Sequence, residues 1–169
     1  PLTLTDNQLA QWLQHLAPIP HLQRIRFHTR LPIVLPARMT ESLLTVLTAT
    51  PLQIIIVIHA NHANELDEHV CQILRRLVHQ GIVVLNQSVL LRGVNDNIDA
   101  LIALSETLFR AQVWPYYLHL LDRVQGAAHF EVSLSQAKTL LEQMRLQLPG
   151  YLVPKWVREV AGGFYKQPL

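Results

Sequence analysis

The hydrophobic positions along the chain fall into two alternating periods. Leu9, Trp12, Leu13 and Leu16 recur at helical spacing. Thr5 with Gln8 three residues on reads as a capping box before them, and Pro18 and Pro20 stop the helix. Leu22 to His28, "LQRIRFH", then alternates apolar and polar as a strand does. Thr40 opens a second helix carrying Leu43, Leu44 and Leu47, followed by "LQIIIVI" from Leu52 to Ile58, which is apolar without alternation. Such a strand is covered on both faces, as in a parallel sheet. The third helix is expected to be capped by Asn64, with Glu65, Asp67 and Glu68 in its first turn, where the helix dipole favours acids. Its stripe is Leu66, Val70, Ile73, Leu74, Leu77 and Val78, and Gly81 ends it. Ile82 to Leu85 is the next strand, a fourth helix starts at Asp96 or Asn97, and Val113 to Leu121 holds another strand. Ser133 and Gln136 read as a second capping box, with Leu134, Ala137, Leu140, Leu141, Met144 and Leu148 inward and Pro149-Gly150 closing the helix. Tyr151 to Val157 reads as extended.

This alternation repeats at about thirty residues, the length of one strand–helix unit, and predicts parallel strands joined by right-handed helical crossovers. A doubly wound sheet and a β/α barrel segment both satisfy it. No G-x-G-x-x-G or P-loop follows any strand, so the usual nucleotide signatures of a doubly wound sheet are missing. Five strand signals are too few for a closed eight-stranded barrel. An α/β fold with a parallel-stranded partial β/α (TIM-like) barrel, residues 1–169 forming one domain, fits better.

Composition narrows the class. With 169 residues, 50% hydrophobic and 15% charged, the chain can bury a core and is too apolar for disorder. No apolar run reaches the roughly 18 residues of a membrane span, and no basic-then-apolar signal segment is present. The net charge of +2 is spread without a basic block, which argues against nucleic acid as a partner. The single Cys71 rules out an internal disulfide framework and fits a reducing cytoplasm. The abrupt start at Pro1-Leu2 suggests an excerpt of a longer protein.

In such folds chemistry sits at the carboxyl ends of strands. There the chain places His28-Thr29-Arg30, His59 with Asn61 and His62, Asn86 and Gln87, Asp122 and Arg123, and finally Glu159, Gly162-Gly163 and Lys166. Polar groups after every strand predict one polar cavity at one rim. Bland readings stay open for each on spacing alone. His59-x-x-His62 with Glu65 fits a metal site or a helix start, Gln87 a loop contact, Asp122 a partner for Arg123, Glu159 a surface acid and Lys166 a solvated tail.

The stretches "RLPIVLPARMTESL", "IHANHANELDE", "LNQSVLLRGVNDN", "PYYLHLLDRVQGAAHF" and "PGYLVPKWVREV" resemble the lysine 2,3-aminomutase family of radical S-adenosylmethionine enzymes along essentially the whole chain. They are most similar to the branch that makes (R)-β-lysine for modification of elongation factor P. The resemblance implies a partial β/α barrel using a [4Fe-4S] cluster, S-adenosylmethionine and pyridoxal 5'-phosphate, with lysine as substrate. The family's C-x-x-x-C-x-x-C cluster motif is absent here, and Cys71 lies inside a helical pattern. The excerpt is therefore expected to be the carboxyl-terminal half. The amino-terminal half of the same protein would be its partner, and the open sheet edge predicts self-association into a homo-oligomer where that half is missing.

Residue by residue, Lys166 matches the lysine that forms an aldimine with pyridoxal phosphate, although Phe164 and Tyr165 replace later glycines of its segment. Asp122 matches an acid that pairs with the substrate ε-ammonium. Glu159 stands where other branches have a second such Asp. His59 and Gln87 match residues lining the S-adenosylmethionine side. His119 stands where other branches place a tyrosine near the cofactor, and Arg30 is a candidate for a cofactor or substrate carboxylate. Three readings compete: part of a radical aminomutase acting in its full-length parent, a non-catalytic pyridoxal- or substrate-binding accessory domain, or a pyridoxal-dependent enzyme without radical chemistry.

Overall fold

A computed structural model describes residues 1–122, 124–160 and 162–169; Arg123, considered above as a partner for Asp122, and Ala161 lie outside the described residues. Five strands, β1 (Arg24–His28), β2 (Gln53–His59), β3 (Val83–Val89), β4 (Trp114–His119) and β5 (Lys155–Arg158), lie side by side in chain order, each parallel to the next. A two-residue β6 (Gln167–Pro168) returns antiparallel on β5. A doubly wound sheet reverses strand order at a switch point. Here the order never reverses, so the winding is that of a barrel wall.

The helices are α1 (Asp6–Leu16), α2 (Leu31–Val34), α3 (Glu41–Thr48), α4 (Glu68–His79), α5 (Ile98–Arg110) and α6 (Leu134–Gln147). The core lies between them and one face of the sheet. Ile54, Ile56 and Ile58 of β2 are buried in one cluster with Leu43, Leu44 and Leu47 of α3 and Leu74 and Leu77 of α4. Burial of the three isoleucines contributes roughly 5–9 kcal/mol as an upper estimate. A second cluster joins Leu118 and Trp156 to Leu101, Leu140, Leu141 and Met144. The opposite sheet face mixes character: Arg24, Arg26 and His28 of β1 are exposed there, beside the wholly buried Val57. No helix among the described residues is long and apolar enough to cross a membrane.

Caps mostly fall where hydroxyls and short polar residues precede helical patterns. The Thr5–Gln8 capping box forms, and Thr40 and Asn97 cap α3 and α5. Four expectations are corrected. Asn64 caps no helix: His62 caps a 3-10 turn over Ala63–Glu65, and α4 begins later with Asp67, whose carboxylate accepts the Val70 amide at 2.8 Å. Ser133 caps α6, but the Gln136 side chain reaches the Asp96 carbonyl rather than closing a box. Leu134, the first residue of α6, is exposed rather than inward. Tyr151 to Val157 is not uniformly extended: a 3-10 turn over Gly150–Leu152 precedes β5, as the Pro149 and Pro154 flanking it favour.

Candidate active site

Parity and register decide which side chains face the cavity. Successive residues of a strand point to opposite faces. In β3, Val84, Asn86 and Ser88 are buried, while Val83, Leu85, Gln87 and Val89 are half-buried on the other face. Registers then align two rows on that face. His59 pairs with Gln87, Gln87 with Tyr117 and Tyr117 with Lys155. One step toward the rim, Val89 pairs with His119 and His119 with Val157.

At the carboxyl ends of these strands lies a cavity of about 430 Å³. Its wall contains six of the seven residues singled out from the sequence: His59, Gln87, His119, Asp122, Glu159 and Lys166. Arg30 is not among them. Its guanidinium pairs instead with Glu65 at 2.6 Å.

Neighbours define each group. His59 Nε2 lies 2.6 Å from Gln87 Nε2, and burial, then the Arg30 charge, holds the His59 imidazole below its ordinary pKa. His119 is 9% exposed, and its Nε2 is buried without a hydrogen-bond partner among the described residues. Burial and then the Lys166 ammonium depress its pKa. A polar nitrogen kept dry and unpaired costs free energy, so this atom is suited to a ligand group. Lys166 Nζ donates to Glu159 Oε1 and sits 5.7 Å from the centre of the Tyr117 ring, within cation–π range. The hydrogen bond from Lys166, then its charge, keeps the Glu159 carboxyl below its usual range.

The supporting shell is built from asparagines in the motif "LNQSVLLRGVNDN". Asn86, 1% exposed, accepts the Ala60 amide at 2.9 Å and donates to the Ala60 carbonyl at 3.1 Å, so it clamps the backbone just after His59. Asn95, wholly buried, donates to the carbonyls of Asn61 and Val89 and accepts the Leu91 amide. Asn61 Oδ1 accepts the Val89 amide at 2.9 Å. Asn86 stands beside Gln87 in the sequence yet is structural, because it occupies the other parity. Glu65 likewise accepts the Asn61 and His62 amides, and His62 Nδ1 accepts the Asn64 amide. Sequence reasoning passed over Tyr117; its signal was the strand parity shared with His119.

Comparison with known proteins follows the same outline. The chain is 51% identical over its whole length to an L-lysine 2,3-aminomutase of Escherichia coli, of which it covers 49%. It is 48% identical to that of Haemophilus influenzae, covering 96% of this chain and 48% of the relative. The chain belongs to the lysine 2,3-aminomutase family. The relationship extends to the enzyme of Clostridium subterminale at 34% identity, covering 99% of this chain and 40% of the relative. The chain thus spans about half the length of the curated relatives it matches. No family model matches. Among solved structures, a domain of pyruvate-formate lyase-activating enzyme from Bacteroides vulgatus superposes with a TM-score of 0.58 at 11% identity, covering 94% of this chain and 91% of that one. Streptococcus suis SuiB bound to S-adenosylmethionine superposes at 0.56 and 10%, covering 92% and 36%. At such identities the likeness is one of fold, and it agrees with the barrel-type winding of the sheet in this family member.

Proposed function

We propose that this segment forms the pyridoxal- and substrate-facing wall of an L-lysine 2,3-aminomutase, an isomerase converting (S)-α-lysine to (R)-β-lysine. The observation that carries the reading is the gathering of Lys166, His119, Asp122 and Glu159 with the His59–Gln87 pair around one cavity. Use of the product in modifying elongation factor P rests on the resemblance of the motifs to that branch.

The residues fit pyridoxal phosphate. A primary amine stands on the cavity wall over an aromatic ring, and the orphaned His119 Nε2 offers a dry polar partner. When bound, pyridoxal phosphate supplies an electrophilic carbonyl and a π system that spreads an unpaired electron, and S-adenosylmethionine supplies the radical. Lys166 is the anchoring amine. Asp122 and Glu159 bind the remote ammonium of lysine, which needs a paired anion once water is excluded. That contact fixes which carbon of the substrate faces the radical source. His59 and Gln87, on the adjacent strands, present polar atoms on the side assigned to S-adenosylmethionine. The iron–sulfur cluster does not fit this chain. Cys71 is buried in α4 with its thiol on the Leu66 carbonyl, and no group of three or more His, Cys, Asp or Glu among the described residues is placed to hold a metal ion. Its ligands therefore belong to the rest of the parent protein.

The test uses the full-length protein with pyridoxal phosphate and borohydride, followed by peptide mapping. The trapped adduct is expected on Lys166 and lost in Lys166→Ala. An adduct of equal yield in that variant would refute the assignment.

A further inference from the structure

Glu159 is where the geometry departs from a simple substrate acid. It follows β5 directly, and Lys166 directly precedes β6. The antiparallel register Val157 with Pro168 and Arg158 with Gln167 continues to set Glu159 opposite Lys166. Cross-strand partners of this kind place side chains within reach of each other. The loop between them turns at Gly162, with φ of 78°, a conformation open to glycine. The two side chains are 54% and 32% exposed, so packing locks neither in place. The carboxylate assigned to the substrate is thus occupied by the lysine assigned to the cofactor.

We infer that Glu159 is an exchange carboxylate: it holds the Lys166 ammonium while no cofactor is bound, and takes the substrate's remote ammonium once Lys166 has lost its charge. The inference rests on the reading of Lys166 as the pyridoxal anchor and of Asp122 and Glu159 as the substrate's acids. Charge accounting supports it. The cavity wall carries one ammonium, Lys166, and two carboxylates, Asp122 and Glu159, with His28, His59 and His119 as the imidazoles that face them. Burial pushes all three imidazoles toward their neutral forms. Tyr117 adds the negative face of its ring beneath the ammonium. When Lys166 sheds its proton to solvent and its nitrogen condenses with the cofactor's carbonyl carbon, the carbonyl oxygen leaving as water, the two carboxylates have no other lysine or arginine among the described residues of the wall, a state that draws in a positive group. The substrate's ammonium arrives already charged, and only hydrogen bonds rearrange at Glu159. The second glycine of the loop, Gly163, is close-packed on the Val160 carbonyl, where a Cβ would stand 3.0 Å from that oxygen, whereas at Gly162 a Cβ would meet nothing within 4 Å.

The test measures borohydride-trapped pyridoxal phosphate on Lys166 in the full-length protein, at fixed near-neutral pH and subsaturating cofactor. Glu159→Gln is expected to raise the initial trapping rate about two- to fivefold, the factor of a partly exposed ion pair. Glu159→Asp should return it toward the parent value. The remote-ammonium analogue 6-aminohexanoate, which has no α-amine to react, should raise trapping in the parent but not in Glu159→Gln, whereas hexanoate should do nothing. Unchanged trapping in Glu159→Gln, or a rise in lysine KM without it, would overturn the exchange and leave Lys166 as anchor. No adduct on Lys166 in the parent would overturn the anchor reading and the exchange with it.

Discussion

Replacing Asn86 by leucine tests the scaffold that aims His59 into the cavity. Asn86 and Ala60 are both buried, and the amide side chain satisfies the Ala60 N–H and C=O at 2.9 and 3.1 Å. Leucine fits in volume and supplies neither group. Each buried backbone group left without a partner costs about 1–3 kcal/mol, and added apolar burial offsets roughly 1–2 kcal/mol of the total. The two groups together cost about 2–6 kcal/mol, so the net loss centres near 2–3 kcal/mol, a large part of the 5–15 kcal/mol typical of a native domain. Urea unfolding of the full-length protein reads it: with a slope near 2–3 kcal/mol/M the midpoint falls by roughly 1 M, the slope itself unchanged. Because Ala60 follows His59 directly, the His59–Gln87 contact should loosen as well. A stability loss below about 0.5 kcal/mol, within the range of ordinary surface substitutions, would mean that the clamp does not hold the β2 end, and the account of the motif "LNQSVLLRGVNDN" would be wrong.

Two other perturbations address the site directly. Burial depresses the pKa of His119 below the ordinary imidazole value of about 6.5, so the unfolded chain takes up a proton that the folded one refuses. Stability should then fall as pH drops through about 6.5 toward the folded value, and His119→Phe should flatten that part of a thermal-midpoint profile; an unaltered profile would exclude His119 as its source. Asp122→Asn in the full-length protein should raise the lysine KM sharply while pyridoxal phosphate binding, read by absorbance, survives. Unchanged lysine kinetics would remove Asp122 from the substrate's acids.

The alternation of periods carried most of the fold, because buried faces impose it: the isoleucines of β2 and the leucines of α3 and α4 show their partners in their spacing. The strand-end rule found the cavity residues because a barrel wall brings the ends of consecutive strands together. What spacing did not reveal was set by tertiary contacts. Asn64 and Asp67 are equally good caps by type, and the turn closed by His62 and Glu65 decided between them. Arg30 follows β1, while His59 and His119 end their strands and Gln87 lies within β3, which runs to Val89 and not to Leu85 as the pattern suggested; Glu65, from the 3-10 turn thirty-five residues on, claims Arg30. The Lys166–Glu159 pair depends on the antiparallel return of β6, a two-residue strand too short to leave a periodic signal.

The position of His119 turns on one irregularity. The β3–β4 ladder runs Leu85 with Trp114 and Asn86 with Pro115, then skips to Gln87 with Tyr117. Without that shift Gln87 would face Tyr116, Val89 would face Leu118, and every later residue of β4 would change sides. His119 would then point into the helix layer and Leu118 into the cavity. Proline supplies the cause: Pro115 has no N–H to give the ladder, and prolines within sheets gather at edges and bulges. The extra residue is absorbed at Tyr116, whose ring lies 3.8 Å from that of Tyr117 and whose hydroxyl donates to its neighbour's at 3.1 Å. Bulges of this kind re-aim side chains beside active sites. Here the Trp-Pro-Tyr-Tyr run of β4 places Tyr117 under Lys166 and His119 at the rim, so the chemistry of this wall depends on a backbone defect as much as on the residues it presents.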